Sequence, residues 1–540
     1  MPEPDASTDS LDSHAPLLTP RQAGVLCGSV LVVAACGLAY ELSIATVSSY
    51  LLGHSVYQFS ITIGLFMAAM GLGSYASRVL QRRHLIDAFV ASEIVLALVG
   101  GLSTVLLFTV FPLAGGGLYR PIMVGLIAVI GGLVGLEIPI IVRALADHGG
   151  VRRGVADALS FDYVGALIGS LAFPIVLLPS LGLFRTAFAV GLTNTATAAV
   201  NLVAFGPAVR HRRLAWAALV VIAGSLATAL AFHERLTRYS EGALYGGQRI
   251  LHLEQTPFQR VVLTRDDRTG EHRLYLDGHV QFAEFDEYRY HEALAHPPLA
   301  VAGPRRRVLI LGGGDGLAAR EALRFPGVDE VTLVDLDPAI TDLATAFVPL
   351  RRLNADSLAD PRVAVLNADA FGFVRDRPAD APAFDVVLID FPDPHNEAIA
   401  KLYSVEFFRM LRQVISETGV LSIQSGSPFF TTEAFHSVGA TLRAAGFEAR
   451  PYTVDVPAFG PWGFHLAGVG GEPRPESWFS GARFMNDTSW AAATALPPDI
   501  SGTPDRAAVN SLFRPELYRL YRRGVERGHP PASRPGTGPL

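Results

Sequence analysis

Cysteine is nearly absent from this chain of 540 residues: Cys27 and Cys36 are the whole supply. They stand nine apart in one apolar run, which is neither a metal spacing nor a disulfide framework, so they read as small packing residues. Charge is scarce as well. Only 17% of residues are charged against 50% hydrophobic, which is apolar for a soluble enzyme. The net charge is −6 and no basic face is present, which argues against nucleic acid as a partner. The first 20 residues, rich in Pro, Asp and Ser, lack the basic start of a signal peptide and read as disordered. No internal repeat is evident.

What the chain has in quantity is apolar sequence, concentrated between residues 21 and 232. Seven stretches are long enough to cross a bilayer, near 23–45, 56–77, 88–111, 121–143, 158–179, 184–206 and 214–232. A multi-pass α-helical membrane domain follows, with the lipid bilayer as its partner. Glycines such as Gly64, Gly71 and Gly73 suit close helix packing in lipid. Three acids, Glu41, Glu93 and Glu137, fall within or at the edge of spans, where charge is costly and turns to a bundle interior or to headgroups. Arginines mark three loops: Arg78, Arg82 and Arg83; Arg143, Arg152 and Arg153; Arg210, Arg212 and Arg213. The positive-inside rule puts all three in the cytoplasm, so seven spans would leave the C-terminal half outside. A domain acting on cytosolic small molecules is expected in the cytoplasm, which implies a re-entrant stretch or a different count.

From 246 to 290 the pattern turns to alternation. Arg249 to Leu253, Arg260 to Thr264 and His272 to Leu276 read as strands, with a turn at 266–270. Strands at 307–311, 330–334, 362–366, 384–389 and 418–424 then alternate with helices, the pattern of a doubly wound, mostly parallel α/β sheet of Rossmann-like type. The expected division is a disordered start at 1–20, the membrane domain at 21–232, a small β module at 246–290, the Rossmann-like domain at 291–470 and an extension at 471–540. That extension holds helical fragments such as Pro515 to Arg523 and ends in a Pro/Gly tail expected to be disordered.

The chemistry gathers where such a sheet binds ligands, outside the carboxyl ends of its strands. The first strand runs into Gly312-Gly-Gly314-Asp315-Gly, and a helix follows; this is how backbone is brought close to a nucleotide. The later strand ends carry Asp335, Asp369-Ala370 and Asp390 in Ile-Asp-Phe-Pro-Asp393-Pro. Asp335 lies about twenty residues after the glycines, where an acid takes ribose hydroxyls, and Asp369-Ala370 is placed to meet an adenine edge. Asp369 also suits a helix N-cap. Together they argue for an adenosyl ligand. Asp315 then discriminates between adenosyl ligands. Intact S-adenosylmethionine carries a carboxylate that a second carboxylate in the turn would repel, whereas a decarboxylated form ends in an ammonium that Asp315 would hold. Asp390 and Asp393 add an anionic cluster suited to a cationic amine.

These motifs resemble those of the polyamine aminopropyltransferases, or spermidine synthases. The resemblance rests on Gly-Gly-Gly-Asp-Gly-x-x-x-Arg-Glu, on Tyr290-His291-Glu292 preceded by Asp286-Glu287, and on Leu276-Asp277-Gly278 with Gln281. Asp-Phe-Pro-Asp-Pro, Lys401-Leu402-Tyr403-Ser404, Gln424 and Phe459-Gly-Pro-Trp462-Gly-Phe464 resemble the membrane-anchored branch. The resemblance covers roughly 250–470 and implies a methyltransferase-like fold. It implies that Gln259, Asp335, Asp369 and Ala370, beside Gly312 and Gly314, hold the thioadenosine part of decarboxylated S-adenosylmethionine. Asp315 and His291 would hold amine groups, Asp390 would accept the proton, and Tyr290, Asp393 and Gln424 would place the acceptor diamine. The donor is a co-substrate; no cofactor or metal is expected, and the soluble members commonly associate into homo-oligomers.

Two departures touch the amine side. Phe391-Pro392 stands where the family often has two hydroxyl residues between the acids, and Phe459 stands near where a tyrosine is usual. They leave the donor assignment intact and open the acceptor's identity, with putrescine as default. The competing functions are a methyltransferase using intact S-adenosylmethionine, against which Asp315 and the Asp390/Asp393 pair count, and a membrane polyamine transporter or sensor whose C-terminal domain only binds.

Overall fold

The computed structural model describes residues 19–52, 55–81, 84–149, 151–301, 303–378, 380–501 and 507–527. The stretches 1–18 and 528–540, expected to be disordered, lie outside the described residues, as do Arg82 and Arg83. The chain divides into two compact units that part between Glu241 and Gly242.

The first unit is a helical bundle. Six of its described helices are long and apolar enough to cross a membrane: Arg21–Leu52, Tyr57–Val79, Leu85–Pro112, Leu118–Ala144, Gly154–Ala208 and Arg212–Ala231. The fifth reverses on itself. Pro174 sits in a widened turn at Phe173–Leu177, and Gly182 leaves the helix with φ +68°. Before the break Gly165 and Gly169 abut Leu31 and Ala35; after it Val190 and Asn201 abut Cys36 and Ser29. One arm therefore ascends along Pro20–Leu52 and the other descends, so this stretch passes through the bundle twice instead of forming a shallow re-entrant turn. Small residues permit the tightest crossing. A Cβ on Gly73 would fall 2.0 Å from the Gly132 carbonyl oxygen. Gly64 and Gly71 have nothing within 4 Å of such a Cβ, so the expected close packing does not occur there.

The second unit is built on two sheets. Strands β1 (Arg249–Gln255), β2 (Arg260–Arg265), β3 (His272–Leu276) and β4 (His279–Ala283) form an antiparallel meander, one strand more than alternation predicts. The β3–β4 link is Asp277-Gly278 with φ +49° and +80°, both in the left-handed region that a tight two-residue hairpin requires. The larger sheet contains β5 (Arg307–Gly312), β6 (Glu330–Asp335), β7 (Val363–Asn367), β8 (Phe384–Asp390), β9 (Ile415–Gln424), β10 (Glu448–Val456) and β11 (Gly460–Gly468). Its order is β10-β11-β9-β8-β5-β6-β7. The five strands β5 to β9 pair in parallel, and the hairpin β10–β11 closes one edge in antiparallel fashion.

The apolar runs form strands because both faces are covered. Val308 and Ile310 enter one core with Val331, Leu333, Val386 and Leu388. Leu309 and Leu311 enter the opposite core with Val334, Val387 and Ile389. Each such side chain, fully buried, contributes roughly 1.5–3 kcal/mol. Beyond residue 470 the chain is tied back into both cores. Glu292 accepts backbone N–H bonds from Arg483, Phe484 and Met485 at 2.7–2.9 Å, and the helix Glu516–Glu526 buries Leu517, Leu520 and Tyr521.

Candidate active site

Strand order reverses between β5 and β8, and Gly312 pairs there with Asp390. That switch point is where an open α/β sheet leaves a crevice. Gly312 turns the chain with φ +82°, and a Cβ on it would collide with the Asp390 carbonyl oxygen at 2.2 Å. Two carboxylates crowd the same turn. The Gly314 N–H donates to Asp335 Oδ2 at 2.9 Å, and a Cβ on Gly314 would fall 2.7 Å from that side chain. A Cβ on Gly313 would fall 3.3 Å from Asp390 Oδ2. Asp315 follows, its Oδ1 accepting from the Leu317 N–H at 2.9 Å at the start of the next helix.

The helix Glu287–Ala300 supplies the opposite wall. Tyr290 is buried and its hydroxyl donates to Asp390 Oδ1 at 2.5 Å. His291 is 2% exposed, with Nδ1 2.9 Å from Glu287 Oε2, and Glu287 is in turn gripped by Arg320 at 2.8 and 3.0 Å. Burial opposes charge on the His291 ring, but the Glu287 carboxylate, helped by Asp315 and Asp390, lifts its pKa to about 9. Among the acids burial dominates. It raises Asp315 to about 6 even though His291 pulls the other way, raises Asp335 to about 6 against its two backbone N–H bonds, and raises Asp390.

Asp393 closes the pocket with a partner that the sequence did not reveal. Its Oδ2 accepts from the Tyr521 hydroxyl at 3.0 Å, while Oδ1 is buried without a hydrogen bond among the described residues. Burial raises this carboxyl to about 6. Phe391 turns away into the core against Tyr403 and Phe407, and Phe459 packs edge-on to Tyr290. The hydroxyl that does reach Asp393 comes from the C-terminal helix. That helix is legible as an amphipathic run, but no sequence signal says where Tyr521 points.

The other expected residues divide. Gln259 donates to Asp337 Oδ2 at 3.0 Å, which places it at the Asp335 end of the crevice; Asp337 also takes the Thr256 hydroxyl at 2.7 Å and caps the helix Pro338–Ala346. Asp369 is exposed, caps the helix Ala370–Arg375 and lies 3.4 Å from Lys401 Nζ, while Ala370 is buried. Gln424 has its polar atoms occupied. Its Nε2 donates to the Phe391 carbonyl and, at 2.7 Å, to the Tyr403 hydroxyl, and Oε1 accepts from Gly426, so it braces the Phe391–Asp393 loop. Glu292, His296 and Glu321 bring donor atoms within 4.8 Å, a spacing open to a metal ion. Glu292, however, is filled by three backbone N–H groups, and Glu321 by Arg320, Arg324 and His296.

Sheet, switch point and carboxylate ring define the class, a Rossmann-like, methyltransferase-like transferase domain with an anionic pocket. Residues 287–473 match the Spermine/spermidine synthase domain family. The chain is 44% identical over 527 residues to polyamine aminopropyltransferase 1 of Ralstonia nicotianae, covering 95% of this chain and 98% of the relative. It is 44% identical over 495 residues to polyamine aminopropyltransferase 1 of Streptomyces coelicolor, covering 89% and 91%. The crystal structure of spermidine synthase from Thermotoga maritima is similar at 26% identity and a TM-score of 0.42, over 47% of this chain and 89% of that one. The chain belongs to the polyamine aminopropyltransferase family. It is a transferase of polyamine biosynthesis.

Proposed function

We propose that this enzyme moves the aminopropyl group of decarboxylated S-adenosylmethionine onto putrescine, giving spermidine and methylthioadenosine. The observation that carries this proposal is the set of carboxylates at one strand switch point: Asp315 on the glycine turn, Asp335 bonded to that turn from the end of β6, Asp390 in register with it and Asp393 just beyond. Such a pocket disfavours a ligand ending in a carboxylate and favours one with ammonium groups at both ends.

Asp335, with Gln259 nearby through Asp337, holds the ribose, and Asp369-Ala370 the adenine. Asp315 holds the ammonium of the donor. His291, as an imidazolium, cannot accept a bond from an ammonium; it keeps Asp315 and Asp390 ionised instead. Asp393 Oδ1 takes the far ammonium of the diamine, leaving the near nitrogen against Asp390 and Tyr290. Free amines are protonated in water, with a lysine-like pKa near 10, and only the neutral nitrogen attacks. Asp390 takes that proton from the near ammonium, and the freed nitrogen then attacks, the C–N bond forming as the C–S bond breaks. Positive charge leaves sulfur and appears on nitrogen, where the carboxylates stabilise it. Within this account Gln424 and Tyr403 hold the Phe391–Asp393 loop in place.

The membrane-spanning character of the first unit is part of the same proposal, with the catalytic unit on the cytoplasmic side. Detergent-purified protein incubated with decarboxylated S-adenosylmethionine and a panel of diamines should release methylthioadenosine, fastest with putrescine. Asp390→Asn should cut turnover roughly 10²–10⁴-fold while leaving donor binding unchanged. Release without any dependence on amine, or near-normal turnover in that variant, would sink the mechanism.

A further inference from the structure

The helical bundle buries acids that no side chain among the described residues neutralises. Glu93 is fully buried, and neither of its carboxylate oxygens has a hydrogen-bond partner among the described residues. The same is true of Glu137 Oε1, the Tyr40 hydroxyl and both polar atoms of Asn194. These groups come from different helices: Tyr40 from Pro20–Leu52, Glu93 and Glu137 from the two halves of Leu85–Gly149, and Asn194 from Leu178–Phe205.

Helix register brings them to one level. Tyr40 lies against Gly100, and Leu26 and Val30 share a cluster with Phe89, so these segments run parallel and Glu93 falls level with Val33. Gly37 abuts Val134 while Leu26 packs with Ile140 and Ile141, an antiparallel match that sets Glu137 level with Ala34. Cys36 meets Val190 and Ser29 bonds Asn201, again antiparallel, which sets Asn194 level with the turn Val32 to Cys36. At a rise of 1.5 Å per residue the three positions agree within about 6 Å, one helical turn, along the axis. Their fields overlap as well: Glu93 acts on Glu137 and on Tyr40, and both acids act on Cys36. The neighbouring arginines are engaged elsewhere, Arg143 with the Ser77 and Leu80 carbonyls and Arg185 with those of Leu181 and Ser180. Buried acids without a counter-charge are costly in a membrane and mark ligand or ion sites.

We propose that this level of the bundle binds a primary ammonium cation of the aliphatic di- and polyamine class. An ammonium brings three N–H donors, and here two carboxylates, an amide oxygen and a phenol offer acceptors. A calcium- or magnesium-like ion takes six or more oxygens, and the helices at this level are continuous, with their carbonyls turned into their own ladders. The methylenes of an amine would lie along the apolar walls. Choosing an amine over other organic cations rests on the function proposed above, since the same chain consumes and produces such amines.

Equilibrium dialysis of the full-length protein in lipid nanodiscs with radiolabelled spermidine tests this. The expected result is two amines per chain. The Glu93→Gln/Glu137→Gln double variant should retain one and release methylthioadenosine at the wild-type rate, while Asp393→Asn should retain the bundle amine. One amine per chain in the wild type, lost in Asp393→Asn and kept in the double variant, overturns the proposal. Wild-type protein gives a second readout. A hydrophobic carbodiimide should modify Glu93 or Glu137, and spermidine should suppress that labelling at least tenfold where sodium chloride of equal ionic strength does not. Labelling indifferent to spermidine, or absent, also overturns it. A filled bundle site in a protein that releases no methylthioadenosine would instead defeat the catalytic proposal alone.

Discussion

Burial makes the free pocket uncomfortable for its own charges. Asp315, Asp335 and Asp393 are each raised from 3.8 to about 6 by desolvation, and His291 is raised to about 9 by its pairing with Glu287. A cationic substrate needs those carboxylates charged. As pH falls through about 6 they take up protons, so the acceptor KM should rise by up to about tenfold per pH unit below that point. A KM flat from pH 8 to 5 would contradict the assignment. His291 carries the opposite sign. Its charged pairing with Glu287 is complete below the unfolded value of 6.5 and is lost as pH rises through about 9, so the carboxylates lose their counter-ion only in alkali. At this scale the acids of the strand ends were legible in the sequence, because the strands themselves fix which residues terminate them. The responsibilities of Gln424 and Glu287 were not, since a hydrogen-bond partner far away in sequence leaves no local trace.

At the level of elements, the five parallel strands announce themselves as apolar runs because both faces are buried. The hairpin β10–β11 does not. Its edge strand carries Glu448, Arg450, Pro451 and Asp455, and its partner begins Gly-Pro-Trp-Gly, so neither has a strand-like composition. The local signal for β4 is the Asp277-Gly278 turn before it, not an apolar run. Under the proposed function, the C-terminal helix Glu516–Glu526 bears on acceptor binding because it delivers Tyr521 to Asp393. Asn510 anchors the approach to it, bonding the Ala400 and Tyr403 carbonyls and accepting from the Leu517 N–H. Tyr521→Phe removes one hydrogen bond to a carboxylate that must also hold an ammonium. The expected effect is an acceptor KM raised about five- to tenfold with kcat and donor KM little changed. Steady-state kinetics with each substrate varied in turn would check this, and a loss confined to kcat would refute it.

Across the whole molecule, the fold class was readable from the alternation of strands with helices and from the apolar half, while the path of that half through its own bundle was not. Hydropathy treats the stretch 154–208 as apolar throughout; its reversal depends on Pro174 and Gly182 acting together. With that stretch passing twice, Arg78, Arg143 and Arg210 share one end of the bundle, and its last helix, Arg212–Ala231, ends at the other. The positive-inside rule would put those arginines in the cytoplasm and the C-terminal half outside. A charged sulfonium donor, which cannot cross a bilayer, demands the reverse orientation. The prediction is therefore that a C-terminal tag is reached by protease in inverted vesicles and protected in intact cells. Protection in the inverted vesicles would place the catalytic unit outside and leave it without donor.

The central claim is that Asp315 selects a decarboxylated donor. Titration calorimetry of the wild-type protein with decarboxylated and with intact S-adenosylmethionine measures that selection directly. The decarboxylated form is predicted to bind at least about tenfold more tightly, as expected when an ammonium rather than a carboxylate meets a buried acid, and Asp315→Asn is predicted to erase most of the preference. Equal affinity for the two forms in the wild-type protein, or a preference untouched by Asp315→Asn, would contradict it.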